Sequence, residues 1–383
     1  MTQERMYGLD ALRGVAMTLG IFLHGSIAYK KGYHYGNWVF DTQYQSYFFD
    51  WFYLWINSFR MQTFFLLAGF FARLLIGKIG LVEFFRNRLK RIGLPLVLSY
   101  FTILPLTLAP YLLAVEFTTG NAGQQLYEFY FRFFTFRAHF GFMHLWFLQH
   151  LLLYYGILVL AVYLTRRSGP IWTRRFSVHC TKVKPFLFLL LTSIALGCLS
   201  QFFSTALPSI WTGFIIPLPQ VLYYFFFFAL GWILENKREL FNSFSSFYKQ
   251  FLLAGTIISL NTLSLLNNSD MLQASISWRV GLKFLFALQT MLLMIGFFGL
   301  FNGVFNKPRP FWKYIADSAY WVYLIHMPIV LTIQLVLVNS PIHGYLRFYL
   351  VIAVAIFLSF GSYQLLIRYS WIGTLLNGKR SRT

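Results

Sequence analysis

The chain has 383 residues, 58% of them hydrophobic and only 11% charged, and a formal net charge of +21. A water-soluble domain carries about 25% charged residues, so one soluble core cannot hide this much apolar surface and an all-α, polytopic integral membrane protein is predicted. The positive charge calls for no nucleic acid, because the aromatic residues fall in apolar stretches and not on a basic polar face.

Ten stretches approach the ~20 residues needed to cross a bilayer. They are 9–29, 48–76, 92–114, 143–164, 186–205, 211–234, 249–267, 279–301, 315–338 and 346–370. Placing the N-terminus in the cytoplasm puts 24 of the 32 Lys and Arg residues on that side. That asymmetry is the positive-inside signal, and an even number of spans returns the C-terminus to the cytoplasm. The charge then lies on short loops facing anionic headgroups. Residues 1–383 read as a single membrane domain, with 115–142 and 165–185 as the longest connections. Cys180 and Cys198 suggest neither a disulfide nor a metal site. No internal repeat of the transporter kind is evident.

The first span carries Asp10, Arg13 and His24. Arg13 and His24 are eleven residues apart, which at ~100° per residue places both on one helix face, ~16 Å apart along the axis. Arg13 then lies at the cytosolic boundary and His24 nearer the far leaflet. Ionisable groups inside a membrane are functional candidates, although Arg13 alone reads more readily as a snorkelling anchor and His24 alone equally as an interfacial or satisfied interior histidine. Asp10, three residues before Arg13, reads as a helix-start ion pair that orients it. "SIA" before Tyr29 has a cleavage-like pattern, but cutting there would remove the Arg13–His24 pair, and an uncleaved first helix is favoured.

The second span holds Arg60 near the extracytoplasmic side, where positive-inside logic does not put an arginine. It reads as a carboxylate-binding group, or as an ion-pair partner of Asp50, or as a snorkel to the far interface. Trp38, Trp51 and Trp55 read as an interfacial belt, with sugar stacking as the alternative. Next comes the basic run Arg86–Arg91, by itself a solvated cytosolic loop. His144 opens the fourth span on the side of His24, and His150 reads as a packing histidine. In the ninth span His326 precedes Pro328, which can kink a helix and free a carbonyl.

Several segments in order resemble the acyltransferase-3 family of membrane O-acyltransferases. "LDALRGVAMTLGIFLH" matches its opening arginine, ten residues and histidine, at Arg13 and His24. "RMQTFFLLAGFFA" resembles the family's "FFxxSGF" block, with Ala68 in place of the usual serine. "FFRNRLKRIGLPLV" matches "RxxRxxxP" at Arg88, Arg91 and Pro95, and "HLWFL" and "YWVYLIHMP" follow. "SFRMQTFF", "HLWFL" and the chain length are similar to a branch associated with succinylation of periplasmic glucans.

The resemblance implies a multi-pass protein of a bacterial inner membrane that moves an acyl group, succinyl or acetyl, from cytosolic acyl-CoA to a hydroxyl of an extracytoplasmic glycan. Acyl-CoA is a donor substrate, and no tightly bound cofactor is expected. Arg13, Arg88 and Arg91 would hold its phosphates, for which the guanidinium fork is suited. The pantetheine arm would rise along the first helix. His24 would be the general base, since a sugar hydroxyl needs its proton taken as the bond forms and an imidazole has a reference pKa of ~6.5. Arg60, His144 and His326 would bind substrate, and a covalent acyl-histidine stays open. No serine elbow, zinc-protease motif or phosphate loop occurs, and no metal-ligand spacing is seen. The rival readings are a transporter or flippase of an anionic glycan, lipid or acyl carrier, and a scaffold for a separate enzyme.

Overall fold

A computed structural model describes residues 6–32, 38–116, 127–128, 130–131, 133, 141–167, 184–267, 275–338 and 340–378. Cys180, His34, His139 and His179 lie outside the described residues. The described residues are helical, with no strand among them. The first helices are α1 (Tyr7–Ile27), α2 (Tyr47–Ile79), α3 (Leu81–Arg88), α4 (Leu94–Phe101) and α5 (Ile103–Glu116). Then come α6 (Trp146–Arg167), α7 (Pro185–Ser200), α8 (Leu218–Glu235), α9 (Arg238–Ser246) and α10 (Tyr248–Leu266). The last are α11 (Ile276–Val304), α12 (Pro310–Leu337), α13 (Gly344–Ser362) and α14 (Trp371–Asn377).

Seven helices are long and apolar enough to cross a membrane, or eight if a bent pair counts as one span. The ten expected spans all fall on helices, but not all as clean crossings. The expected span 92–114 is broken: Leu81–Phe101 and Ile103–Pro110 meet at 43°. Ahead of Pro95 the chain widens into a π-turn, Leu89–Gly93. Pro95 has no N–H to return to the carbonyl of Arg91, and the Tyr320 hydroxyl donates to that carbonyl instead, at 3.1 Å. The span expected at 186–205 is only the 16-residue α7, about 24 Å long against the ~30 Å hydrocarbon core. Pro217 at the N-cap and Pro219 in the first turn start α8 at Leu218, later than the expected 211.

α1 is not among the seven. Asp10, Arg13, His24 and four glycines lower its hydropathy. It does not need lipid compatibility, because α2, α11, α12 and α13 all pack against it, and residues on every side of it are buried. Membrane helices pack closely where small residues let backbones approach. Gly69 of α2 and Gly231 of α8 do this reciprocally: a Cβ on either would collide with a backbone carbonyl of the other helix, Phe228 or Leu66.

At the His24 end of α1, residues 38–46 fold back over the helix terminus. The Asp41 N–H donates to the Ala28 carbonyl at 2.9 Å, and the Ser46 N–H to Tyr29 at 3.0 Å. The Asp41 carboxylate pairs with Arg347, both side chains essentially inaccessible. Arg347 also donates to the carbonyls of Val338 at 2.6 Å and Ser340 at 2.7 Å. Removing one partner of such a pair strands a buried charge. Arg347→Ala is therefore expected to destabilise the protein by about 3–5 kcal/mol, seen as a lower thermal midpoint in detergent. An unchanged midpoint would show that this pair does not pin the segment.

Candidate active site

Two cavities lie end to end beside α1. The outer one, about 400 Å³, is lined by Arg13 and Met17 of α1, by Arg88 and Arg91, and by Tyr320 and Tyr323 of α12. The inner one, about 60 Å³, is lined by His24, Arg60, His144, His326, Asn57 and Tyr323. Tyr323 alone of these residues belongs to both, so its side chain is the wall between them. Its hydroxyl donates to the His144 carbonyl at 2.6 Å, which anchors the ring between the two linings.

The helix period accounts for α1's part. Arg13, Met17, Gly20 and His24 recur at intervals of four, three and four, the spacing of one face. Arg13 makes an ion pair with Asp10 at 3.5 Å and donates to the Ala316 carbonyl at 3.4 Å. Arg88 lies over the rings of Phe84 and Tyr155, at 5.4 and 5.6 Å from their centroids. All three arginines line the outer cavity and are half-buried.

In the inner chamber the His24 and His326 rings are 5.3 Å apart, and His144 lies 6.1 Å from His326. His326 Nδ1 contacts the carbonyls of Tyr323 at 2.8 Å and Val322 at 3.0 Å. Since only a protonated nitrogen can bond a carbonyl, Nδ1 carries hydrogen and the neutral ring keeps its lone pair on Nε2, which has no partner. His144 is the mirror case. Its Nε2 donates to the Leu324 carbonyl at 3.1 Å, and its buried Nδ1 has no partner. The Leu324 carbonyl is the one that Pro328, four residues on, cannot engage. The expected freed carbonyl thus fixes the orientation of a histidine from another helix. His24 Nδ1 also has no partner.

Arg60 reaches this chamber because position 20 is glycine. A Cβ at Gly20 would collide with Arg60 Nη1 and would lie 3.5 Å from His326 Nε2. Arg60 does not pair with Asp50, whose carboxylate instead accepts from the N–H groups of Lys31 at 2.8 Å and Gly32 at 3.2 Å. Among the described residues no carboxylate forms an ion pair with Arg60. Its buried Nε has no hydrogen-bond partner.

His150 is a packing residue, as expected. Its Nδ1 bonds the Trp146 carbonyl at 2.9 Å and its other nitrogen meets Gln220 at 3.1 Å. Among the described residues no group of His, Cys, Asp or Glu side chains is arranged to hold a metal ion. Sequence reasoning missed Asn57 and Tyr323. Both carried a signal: Tyr53, Asn57 and Arg60 share one face of α2 by the same period, and Tyr323 is three residues before His326.

Among the described residues the protein is an all-helical bundle with membrane-length apolar helices, a basic outer cavity and a histidine-rich inner chamber. The acyltransferase-3 family model, described as an acyltransferase domain, matches residues 6–364, and the chain belongs to this family. It is similar to glucans biosynthesis protein C of Escherichia coli K12 and of strain SMS-3-5, at 28% identity over 255 residues. The match covers 63% of this chain and 61% of those relatives. No solved structure matches the chain.

Proposed function

We propose that this acyltransferase moves a succinyl or acetyl group from cytosolic acyl-CoA to a hydroxyl of an extracytoplasmic glycan, with His24 as general base. The supporting observation is that two cavities sharing Tyr323 are lined from one face of α1, with Arg13, Arg88 and Arg91 in one and His24 in the other. The arginines bind the nucleotide phosphates. The pantetheine arm runs past Tyr323 and brings the thioester to the inner chamber. His24 takes the acceptor's hydroxyl proton while its oxygen attacks the thioester carbonyl. The tetrahedral intermediate collapses by expelling the CoA thiolate, and the imidazolium returns its proton to that sulfur. His144 and His326, each fixed through one ring nitrogen, offer the other to the acceptor. The chain crosses a bacterial inner membrane ten times in this reading, with both termini cytoplasmic.

Among the described residues Arg60 has no carboxylate paired with it, and a dicarboxylic acyl group would supply one. Arg60→Lys, which loses the bidentate fork, is expected to lower transfer from succinyl-CoA about tenfold more than from acetyl-CoA. Equal losses with both donors would overturn this role. The function itself is tested by mass spectrometry of envelope glycans from a null strain, with and without the wild-type gene. A mass increment lost under mild alkali is expected only with the gene, and its size names the acyl group. An unchanged glycan, with passage of an anionic glycan or lipid in reconstituted vesicles, would favour the transporter reading.

A further inference from the structure

Trp38, ahead of α2, and Trp51 and Trp55, in its first turns, read alike in the sequence, and the structure separates them. Trp51 Nε1 donates to Ser259 Oγ at 2.7 Å and Trp55 Nε1 to Thr256 Oγ1 at 3.1 Å. Both therefore serve the packing of α2 on α10. Trp38 lies elsewhere: its indole is stacked on the His24 imidazole, centroids 5.9 Å apart and planes 18° from parallel. Its Nε1 donates to Gln334 Oε1 at 3.1 Å.

Gln334 is 1% exposed. Its amide nitrogen donates to the carbonyls of His24 at 3.2 Å and Gly25 at 3.0 Å. Those carbonyls belong to the last turn of α1, where helical partners run out. One amide thus joins the helix end that carries His24 to the indole that covers its ring. The backbone bonds of Asp41 and the buried Asp41–Arg347 pair fix the segment that follows Trp38. A belt residue needs none of these contacts.

We propose that Trp38, which borders the inner chamber through its stack on His24 without lining it, is the acceptor-side roof over that histidine and the surface on which a pyranose ring of the acceptor rests, with Gln334 as its positioning residue. The inference rests on the acyl-transfer reading and adds where the acceptor binds. The indole's negative face suits the C–H face of a sugar. Covering His24 also excludes water, the competing nucleophile. With the roof removed, water attacks the thioester carbonyl, its proton passes through His24 to the departing sulfur, and the products are a free carboxylic acid and CoA thiol.

The test uses the full chain in lipid nanodiscs with succinyl-CoA or acetyl-CoA, with and without a glucan oligosaccharide. Released thiol and glycan ester are measured together. In the wild type the two are expected to be equal. Trp38→Ala is expected to raise the acceptor KM and the ratio of thiol to ester about tenfold each. Trp38→Phe, which keeps a ring but loses the N–H, and Gln334→Leu should shift the ratio less and leave the donor KM unchanged. Parallel loss of thiol release and ester in all three variants, or wild-type coupling in all three, would overturn the proposal. Absence of thioester cleavage by the wild type is a different result, since it overturns the acyl-CoA reading on which the roof depends.

Discussion

His24→Ala is expected to lower acyl transfer by about 10²–10⁴-fold, the range for loss of a positioned general base. The protein should still fold. The backbone bonds that tie the end of α1 to Gln334 use carbonyls, not the imidazole, and an alanine is a good helix former. The measurement is glycan ester formed at matched membrane levels, with thermal unfolding as the control for folding. His326→Ala provides a contrast, because its Nδ1 occupies two carbonyls of its own helix. Truncating it removes both a fixed lone pair and local helix contacts, so folding and transfer should fall together. A His24→Ala protein with unchanged ester would remove His24 from the chemistry.

Gly20→Ala is expected to do nearly as much damage through a single methyl group. In a helix, alanine is preferred over glycine by about 1 kcal/mol, so intrinsic propensity predicts a more stable α1. The new Cβ would, however, collide with the Arg60 guanidinium. Arg60 must swing away and carry its charge out of contact with the chamber. A displacement of about 1 Å at a reacting centre can cost 10²-fold in rate, and a loss of that order is expected here with little change in thermal stability. Gly281→Ala is the matched control, since a Cβ there meets nothing within 4 Å. Equal activity in both variants would show that the Gly20–Arg60 contact does not hold the site.

Much of this site was legible before any coordinates, and the division follows the range of the interactions. The face shared by Arg13 and His24 depends only on helical period, and it holds in the structure. The freed carbonyl near Pro328 follows from proline's missing N–H, and it is there. Its partner, His144, is 180 residues away, and no local pattern names it. Arg60 was readable as misplaced, but Asp50 was the wrong partner to suggest, because Asp50 is committed to the N–H groups of Lys31 and Gly32. The number of crossings was less legible. Hydropathy sees length and not the break between Phe101 and Ile103, and it undervalues α1, which is shielded by other helices. Trp38 shows the limit of composition: an indole near a membrane boundary is common for its own reasons, and only the three-dimensional fold brings this one over a histidine.

The wall formed by Tyr323 bears on the cell's energy supply. A hydrated path from one side of a membrane to the other conducts protons, and each charge that crosses dissipates about 2.3 kcal/mol per 100 mV. The two cavities have Tyr323 as the side chain common to both. If this ring yields only when the narrow arm of a donor fills the gap, the substrate itself becomes the plug. In the proposed transfer from a cytosolic donor to an extracytoplasmic acceptor, the membrane would then stay electrically sealed throughout the cycle. Proton leak in vesicles carrying Tyr323→Ala, compared with wild type, would measure how much of that seal one side chain supplies.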